Sequence, residues 1–414
     1  MALIVQKYGG SSVSNPDRIK NVAARIVETK KEGNEVIAVV SALGKTTDEL
    51  IALTKEITEN ASEREMDALL STGEQISSAL LTMAIHSLGE KAISLTGSQV
   101  GIYTDSAHRK ARILDISSDK LKEELGKGNI IIVAGFQGID ENGNITTLGR
   151  GGSDTTAVAL ASAMKADVCE IYTDVDGVFA ADPRVVKGAE KIDRVSYDEM
   201  LELASLGAKV LQLRAVEFGK KYGVKIHVRS SFVKDEGTLI TEEIGDMEDP
   251  VVVGVTSDTD EAKITIVEVI DKPGIASKVF GALAESNVNV DVIVQNVSEQ
   301  GKTDISFTLK RDELARADEV IKNVVGGVGS SGIKCDDEIA KVSIVGVGMK
   351  SHPGVAALMF KTLADAGINI EMISTSEIKI SCIIERKHAK KAVQVLHEVF
   401  KPGKNKVLKN EKNS

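Results

Sequence analysis

The segment Gly149-Arg150-Gly151-Gly152-Ser153-Asp154 brings together the groups needed to hold a small charged ligand. Its bare glycines let a ligand approach the backbone closely, and Ser153 or Asp154 can cap the helix that the apolar pattern of residues 155–165 predicts. First-turn N–H groups of such a helix face an anion. Arg150 and Asp154 add opposite charges, which suits a zwitterion or a phosphoryl group in transfer, guanidinium to carboxylate and carboxylate to ammonium. Taken alone, the segment also reads as a glycine turn before a helix. A second glycine turn, Lys7-Tyr8-Gly9-Gly10-Ser11-Ser12, follows the first apolar run, where strand-end amides can cradle phosphate oxygens and Lys7 can neutralise them.

Other segments add candidate groups. Gly44-Lys45-Thr46 mimics the end of a Walker A loop, but Val39 stands where that motif needs its first glycine, so a P-loop is rejected. Ser41 and Thr47 remain as hydroxyl donors in the same strand-end loop, or as simple loop hydrogen-bonders. Ser71-Thr72-Gly73-Glu74 puts a glycine into a helical pattern. Either Glu74 points a carboxylate into a cleft, or Ser71 and Glu74 form a capping box at a helix start. Residues 172–184 supply Thr173 and Asp174 at a strand end, a flat face in Phe179 and a charge in Arg184. A hairpin-rich surface loop is the alternative there, and Lys209 reads equally as a snorkelling surface lysine.

The elements that must position these groups follow from periodicity. Apolar runs at 3–6, 35–40, 91–95, 130–134, 168–172 and 224–228 alternate with amphipathic stretches such as 17–31, 64–88 and 196–221. This predicts an α/β fold, a mainly parallel sheet covered on both faces by helices in three αβα layers, over residues 1–240. Asn142-Gly143 predicts a hairpin leading into the Arg150 segment. An acidic, turn-rich stretch opens a linker placed at 241–262.

Beyond the linker the chain repeats itself at an offset of 80 residues. Pro273/Pro353, Gly274/Gly354, Ala276/Ala356, Phe280/Phe360, Leu283/Leu363, Ala284/Ala364, Asn289/Asn369 and Ile293/Ile373 are identical pairs. A repeat of two units is no solenoid, so two small α+β modules are expected, at 263–335 and 336–400, followed by a frayed tail at 401–414.

The 414 residues carry a formal net charge of −10, with 42% apolar residues, which argues against non-specific nucleic-acid or anionic-membrane binding. The three cysteines are far apart, without a CxxC or Cys/His cluster, so no protein-built metal site is expected and reduced thiols in a cytoplasm fit best. Residues 1–10 place Lys7 and two glycines where a signal peptide would need its apolar core, and no apolar run reaches membrane-spanning length.

Together KYGGSSV, VSALGKTTD, STGE, TTLGRGGSDTTA, YTDVDGVFAADPR and GAKVLQ, in that order, resemble the aspartate kinases of the amino-acid kinase family. The doubled module with DKPG and SHPG resembles the ferredoxin-like ACT domains that regulate them. The resemblance implies a catalytic set of Lys7, Gly10, Asp154 and Lys209. It implies ATP held by Lys7, Tyr8, Gly9, Gly10, Thr173, Asp174, Phe179, Arg184, Lys209 and Val210, with Mg²⁺ bound mainly to the nucleotide. L-aspartate would be held by Thr47, Glu74, Arg150 and Asp154, with Ser41, Phe136, Gly151, Gly152 and Ser153 at neighbouring positions. Phe179-Ala180 stands where relatives often carry Tyr-Thr, which keeps stacking but removes hydroxyl contacts to the nucleotide. At the ACT pair the resemblance implies lysine or threonine as feedback effectors, with Asp271, Gly274, Ile275, Ala276, Asn289, Asp291, Gln295 and Asn369 as the binding positions. It also implies a homo-oligomer through the ACT modules. Met247 is either an internal start for a shorter subunit or an ordinary linker methionine. The alternatives are another amino-acid kinase, for glutamate or acetylglutamate, and a catalytically silent amino-acid sensor.

Overall fold

The computed structural model describes residues 1–149, 151–205, 210–242, 252–295, 301–326, 329–347, 349 and 354–403. Two compact units divide the chain: Met1–Val178 with Lys191–Met247, and Phe179–Glu190 with Glu248–Ser414.

The first unit begins with β1 (Leu3–Tyr8), α1 (Pro16–Lys31), β2 (Glu35–Val40), α2 (Thr46–Ile57), α3 (Glu63–Ser87) and β3 (Ala92–Leu95). It continues through α4 (Gly97–Val100), β4 (Ile102–Thr104), β5 (Ile113–Ile116), α5 (Asp119–Gly126), β6 (Ile130–Ala134), β7 (Gln137–Ile139) and β8 (Ile145–Thr147). It closes with α6 (Gly152–Met164), β9 (Val168–Thr173), β10 (Arg194–Val195), α7 (Tyr197–Ser205), α8 (Leu213–Tyr222), β11 (Ile226–Ser230) and β12 (Thr238–Ile240). Eight strands form the main sheet in the order β10-β12-β11-β9-β1-β2-β6-β3, parallel except where β12 meets β11.

Strand alternation builds the layers. Val36, Ala38, Val40, Ile130 and Ile132 pack against α1 and α3 through Ile19, Ile26, Leu81 and Ile85. The intervening Ile37, Val39, Ile131 and Val133 are fully buried on the opposite face, and α6 is buried from Gly152 to Ala161. Both faces are therefore covered, as expected for parallel strands that read as continuous apolar runs. Asn15 caps α1 by accepting from the Arg18 N–H, and Pro16 takes the first helical position. The Asn142-Gly143 hairpin forms between β7 and β8, pinned by Asp140 Oδ1, which accepts from the Asn142 and Asn144 amides. The amphipathic stretch 196–221 is two helices, α7 and α8, rather than one, and residues 206–209 between them lie outside the described set.

The second unit contains β13 (Gly254–Ile270), α9 (Ile275–Glu285), β14 (Val290–Gln295), β15 (Lys302–Lys310), α10 (Leu314–Val325), β16 (Gly332–Val345), α11 (Val355–Asp365), β17 (Met372–Thr375), β18 (Lys379–Glu385) and α12 (Ala389–Phe400). Helices α9 and α11 stand 80 residues apart, and each is preceded by a left-handed glycine, Gly274 at φ 92° and Gly354 at φ 108°. Six strands make one antiparallel sheet, β14-β15-β13-β16-β18-β17.

Two boundaries differ from the sequence reading. β13 starts at Gly254, inside the stretch read as linker, and pairs Gly254–Asp258 with Lys341–Val345 of β16. Its remainder pairs with β15 and with the first half of β16. Each module is thus completed by one end of a strand that belongs mainly to the other, so the 335/336 boundary falls inside β16. Alternation of apolar residues continues through such a shared strand and leaves no break to read. The second correction concerns Phe179–Glu190, which groups with the second unit: Ala181 and Ala189 pack with Val342, Ile344 and Leu396, and the Gln394 side chain donates to the Val185 carbonyl.

Candidate active site

Carboxyl ends of the parallel strands gather most of the predicted groups, the usual place for a ligand in an open α/β sheet. Gln6 and Tyr8 of β1 turn toward α1, so Lys7 turns to the opposite face. There its ammonium meets the carboxylate of Asp154, Nζ to Oδ1 2.6 Å, with the two side chains 12% and 11% exposed. Asp154 sits in the first turn of α6.

The glycines are required by close approach. A Cβ on Gly10 would lie 2.8 Å from the Ala42 carbonyl, and the Gly10 carbonyl accepts from the Gly44 amide. Gly9 is less constrained, since a Cβ there would make ordinary contact, 3.4 Å from Lys7 Nζ. This cradle of short loop and ammonium suits a phosphorylated nucleotide. Gly151, at φ 72°, is the N-cap of α6, with no side-chain capping bond, so Ser153 and Asp154 are not the cap expected from sequence. Both carboxylate and hydroxyl are left to face neighbours instead. Ser153 packs on Gly135, where a Cβ would approach its Oγ to 2.8 Å. Phe136 takes φ 70°, held by its amide donating to Thr156 Oγ1 and its carbonyl accepting from the Leu148 amide.

Glu74 resolves the choice between cleft and cap. Ser71-Thr72-Gly73-Glu74 lies inside the 25-residue helix α3, not at a start. Gly73 is there because a Cβ would come within 2.8 Å of Ala42 Cβ. Glu74 is buried; Oε1 accepts from the Ala42 amide at 3.2 Å and Oε2 has no hydrogen-bond partner among the described residues. Burial raises its pKa to about 7, against a smaller opposing effect of amide hydrogen bonds. Ser41 follows β2, its amide donating to the Tyr8 carbonyl, and Thr47 lies in the first turn of α2, both half-buried. Thr173 ends β9 beside β1, with its hydroxyl donating to Asp174.

Several positions stand apart. The Tyr8 ring is fully buried and stacked on Tyr172 at 4.8 Å, so its side chain belongs to the core and only its main chain reaches the strand end. Phe179 and Arg184 fall in the second unit, where the exposed Arg184 guanidinium pairs with Asp182 at 2.8 Å. Val210 is half-buried; Arg150, Lys209 and Met247 lie outside the described residues. In the second unit Asp271, Gly274, Ala276, Asn289, Gln295 and Asn369 are exposed, Ile275 is half-buried, and the Asp291 carboxylate is paired with Lys341. Among the described residues no group of three or more His, Cys, Asp or Glu is arranged to hold a metal ion, and no helix is long and apolar enough to cross a membrane.

Sequence reasoning missed Asp67, a fully buried carboxylate two turns from Glu74 on the same face of α3, and Gly135, which receives Ser153. The seven-residue spacing of Asp67 and Glu74 on an amphipathic stretch was the available signal.

A profile of the amino acid kinase family matches residues 2–230, and an ACT-domain profile matches residues 264–324 and 342–400. An aspartokinase of Mycolicibacterium smegmatis is 54% identical over 97% of this chain and 96% of its own. The chain belongs to the aspartate kinases. A crystal structure of the Synechocystis aspartate kinase is 46% identical to the kinase described here, covering 97% of this chain and 69% of that one, with a TM-score of 0.55. Escherichia coli aspartokinase III, 24% identical, shares the fold with a TM-score of 0.79 over 96% of this chain and 99% of its own. The mainly parallel αβα unit and the ACT pair of this kinase are those the family leads one to expect.

Proposed function

We propose that this kinase transfers the γ-phosphate of ATP to the side-chain carboxylate of L-aspartate, forming 4-phospho-L-aspartate, and that lysine or threonine, acting through the ACT pair, restrains it. The observation that carries the reading is the Lys7–Asp154 pair at 2.6 Å, where the Gly9-Gly10 turn meets the N-terminus of α6. Lys7 supplies positive charge to the phosphoryl group while the glycine amides and Lys209 align it. Thr173, Asp174 and Val210 take the nucleotide, whose Mg²⁺ supplies further charge neutralisation. Asp154 and Glu74 offer carboxylates to the acceptor's ammonium, and Arg150 offers a guanidinium to its α-carboxylate. An acceptor carboxylate is already ionised at neutral pH, so the reaction needs no general base. Escherichia coli aspartokinase III has been solved in complex with aspartate and ADP, and in complex with lysine and aspartate. These complexes support the substrate and effector classes proposed. The step would open lysine, threonine and methionine biosynthesis in the cytoplasm, in an oligomer joined through the ACT modules.

The test is ATP-dependent formation of aspartyl hydroxamate from L-aspartate, with and without lysine plus threonine. Activity that those amino acids suppress is expected. Activity without suppression would leave the ACT pair a platform; phosphorylation of glutamate or acetylglutamate instead would replace the acceptor, and no turnover of any acceptor would leave the silent sensor.

A further inference from the structure

Asp67, on α3, is fully buried, and every oxygen is engaged. Oδ1 accepts from the Thr147 hydroxyl at 2.5 Å and the Arg109 amide at 3.1 Å; Oδ2 accepts from the Thr147 amide at 3.0 Å and lies 2.8 Å from His108 Nδ1. One carboxylate thus ties α3 to the loop at 107–111 and to the end of β8. That end leads directly into Leu148, Gly149 and Arg150. A second clamp comes from α8, where Arg214 donates to the Leu148 and Ala111 carbonyls, and the Ala111 amide donates to the Thr147 carbonyl. Gly149, at φ 82°, has no room for a Cβ, which would lie 2.9 Å from the Arg109 carbonyl.

Helix α3 carries this tie on the same face as Glu74. Along that face Asp67 grips β8, the Ser71 carbonyl accepts from Gln137 of β7, and Glu74 accepts from the Ala42 amide after β2. The helix therefore sets the register of three strand-end segments that bear acceptor-side groups. The nucleotide-side groups Gly9 and Gly10 follow β1 and Thr173 ends β9, strands to which Asp67 makes no hydrogen bond among the described residues.

From this geometry we propose that Asp67 is a positioning residue for acceptor recognition: it holds Thr147–Gly149, the segment leading into α6, so that Asp154 in the first turn of α6 meets the amino-acid substrate. The inference rests on the acceptor role given to Asp154 above. Asp67→Asn puts an NH₂ group where the Thr147 amide or hydroxyl donates, and so breaks the tie without changing size. Thr147→Val, a milder variant, removes one hydroxyl and leaves the backbone bond.

Steady-state kinetics of the full chain should show KM for the acceptor rising on the order of 10-fold in Asp67→Asn and by less in Thr147→Val, with KM for ATP within about twofold. Hydrogen exchange should quicken at residues 145–156 and stay unchanged along β1 and β9. A purely structural role would lower the melting temperature while leaving both KM values of the folded fraction alone, and that result, or unchanged exchange at 145–156, overturns the proposal. Kinetics use L-aspartate, or whichever acceptor the wild-type protein phosphorylates, so a wrong acceptor identity shows in the wild type and not in the variants. Exchange needs no substrate and tests the tie itself even if no acceptor is turned over.

Discussion

Lys7 in the first unit and Lys341 in the second are both drawn out of solvent against carboxylates, and their surroundings make them opposites. Lys7 meets Asp154 at the open end of a parallel sheet, between a turn of glycines and a helix N-terminus. Lys341 lies mid-strand in the antiparallel ACT sheet, 5% exposed, with Glu261 at 3.2 Å and 2% exposed, and Asp291 as a second partner. Around it Lys310 reaches Asp258 at 2.5 Å and Glu261 at 3.3 Å. Burial pulls the Lys341 pKa down, but Glu261 and Asp291 outweigh it and the net shift is upward. The first pair lies beside short glycine turns at a strand end; the second lies among paired strands, with Lys310, Asp258 and Glu261 bridged around it. A buried ion pair is therefore a reactive group or a staple according to what else holds its partners.

Breaking each pair should give opposite results. Lys7→Ala is expected to lower kcat on the order of 10² to 10³-fold, as for other donors to a transition-state charge, with little change in melting temperature. Near-normal turnover would remove Lys7 from the chemistry. Lys341→Met leaves Glu261 buried without its main partner and should cost about 3 kcal/mol, at the low end for a broken buried pair because Asp291 is half-exposed. Melting of the purified full chain should then fall by roughly 6–12 °C, with kcat of the folded protein unchanged. A loss of kcat without a loss of stability would make the staple part of the reaction.

How much of this was legible in the residues depends on the kind of burial. Strands covered on both faces read as apolar runs, and β2 and β6 begin and end where the pattern places them. Lys7 and Asp154 were legible because glycines mark the close approaches beside them. Helix α2 was not, since none of its residues is fully buried. Gly73 looked like a helix break because its reason lies 31 residues away in sequence, at Ala42. β13 and β16 hid their module boundary for a related reason: pairing between distant segments leaves no local mark.

Glu74 sharpens the comparison from a third direction, being a buried carboxylate without a cation partner among the described residues. Its pKa of about 7 in the fold, against the ordinary glutamate value of 4.5, means that the folded protein holds this proton more tightly than the unfolded chain. Stability from this group is therefore greatest in acid and is lost as pH climbs from about 4.5 to 7. Glu74→Gln removes that loss and should stabilise the protein by about 2–3 kcal/mol at pH 8 and hardly at pH 4.5. For the acceptor the sign is reversed, because its ammonium needs the ionised form. KM for L-aspartate should fall between pH 6 and 8 in the wild type and stay flat, at a higher value, in Glu74→Gln.

The smallest effect is expected where charge is not buried at all. Asp271 and Asn289 are exposed at the first Pro-Gly module, so neither contributes much to the free protein's stability, in contrast to the neighbouring Asp291 that Lys341 already holds. Asn289→Ala should leave kcat, both substrate KM values and melting as they are. Its effect should appear as a rise of about 5-fold in the lysine or threonine concentration that half-inhibits the enzyme, the low end of the usual coupling of 1–3 kcal/mol between sites. Reciprocity adds a second readout: if effector opposes aspartate in the wild type, saturating aspartate must weaken effector binding by the same factor. An inhibition curve that Asn289→Ala does not move, in an enzyme that lysine does inhibit, would take the effector away from this loop while leaving the buried Lys341 staple, and the unit it holds, as they stand.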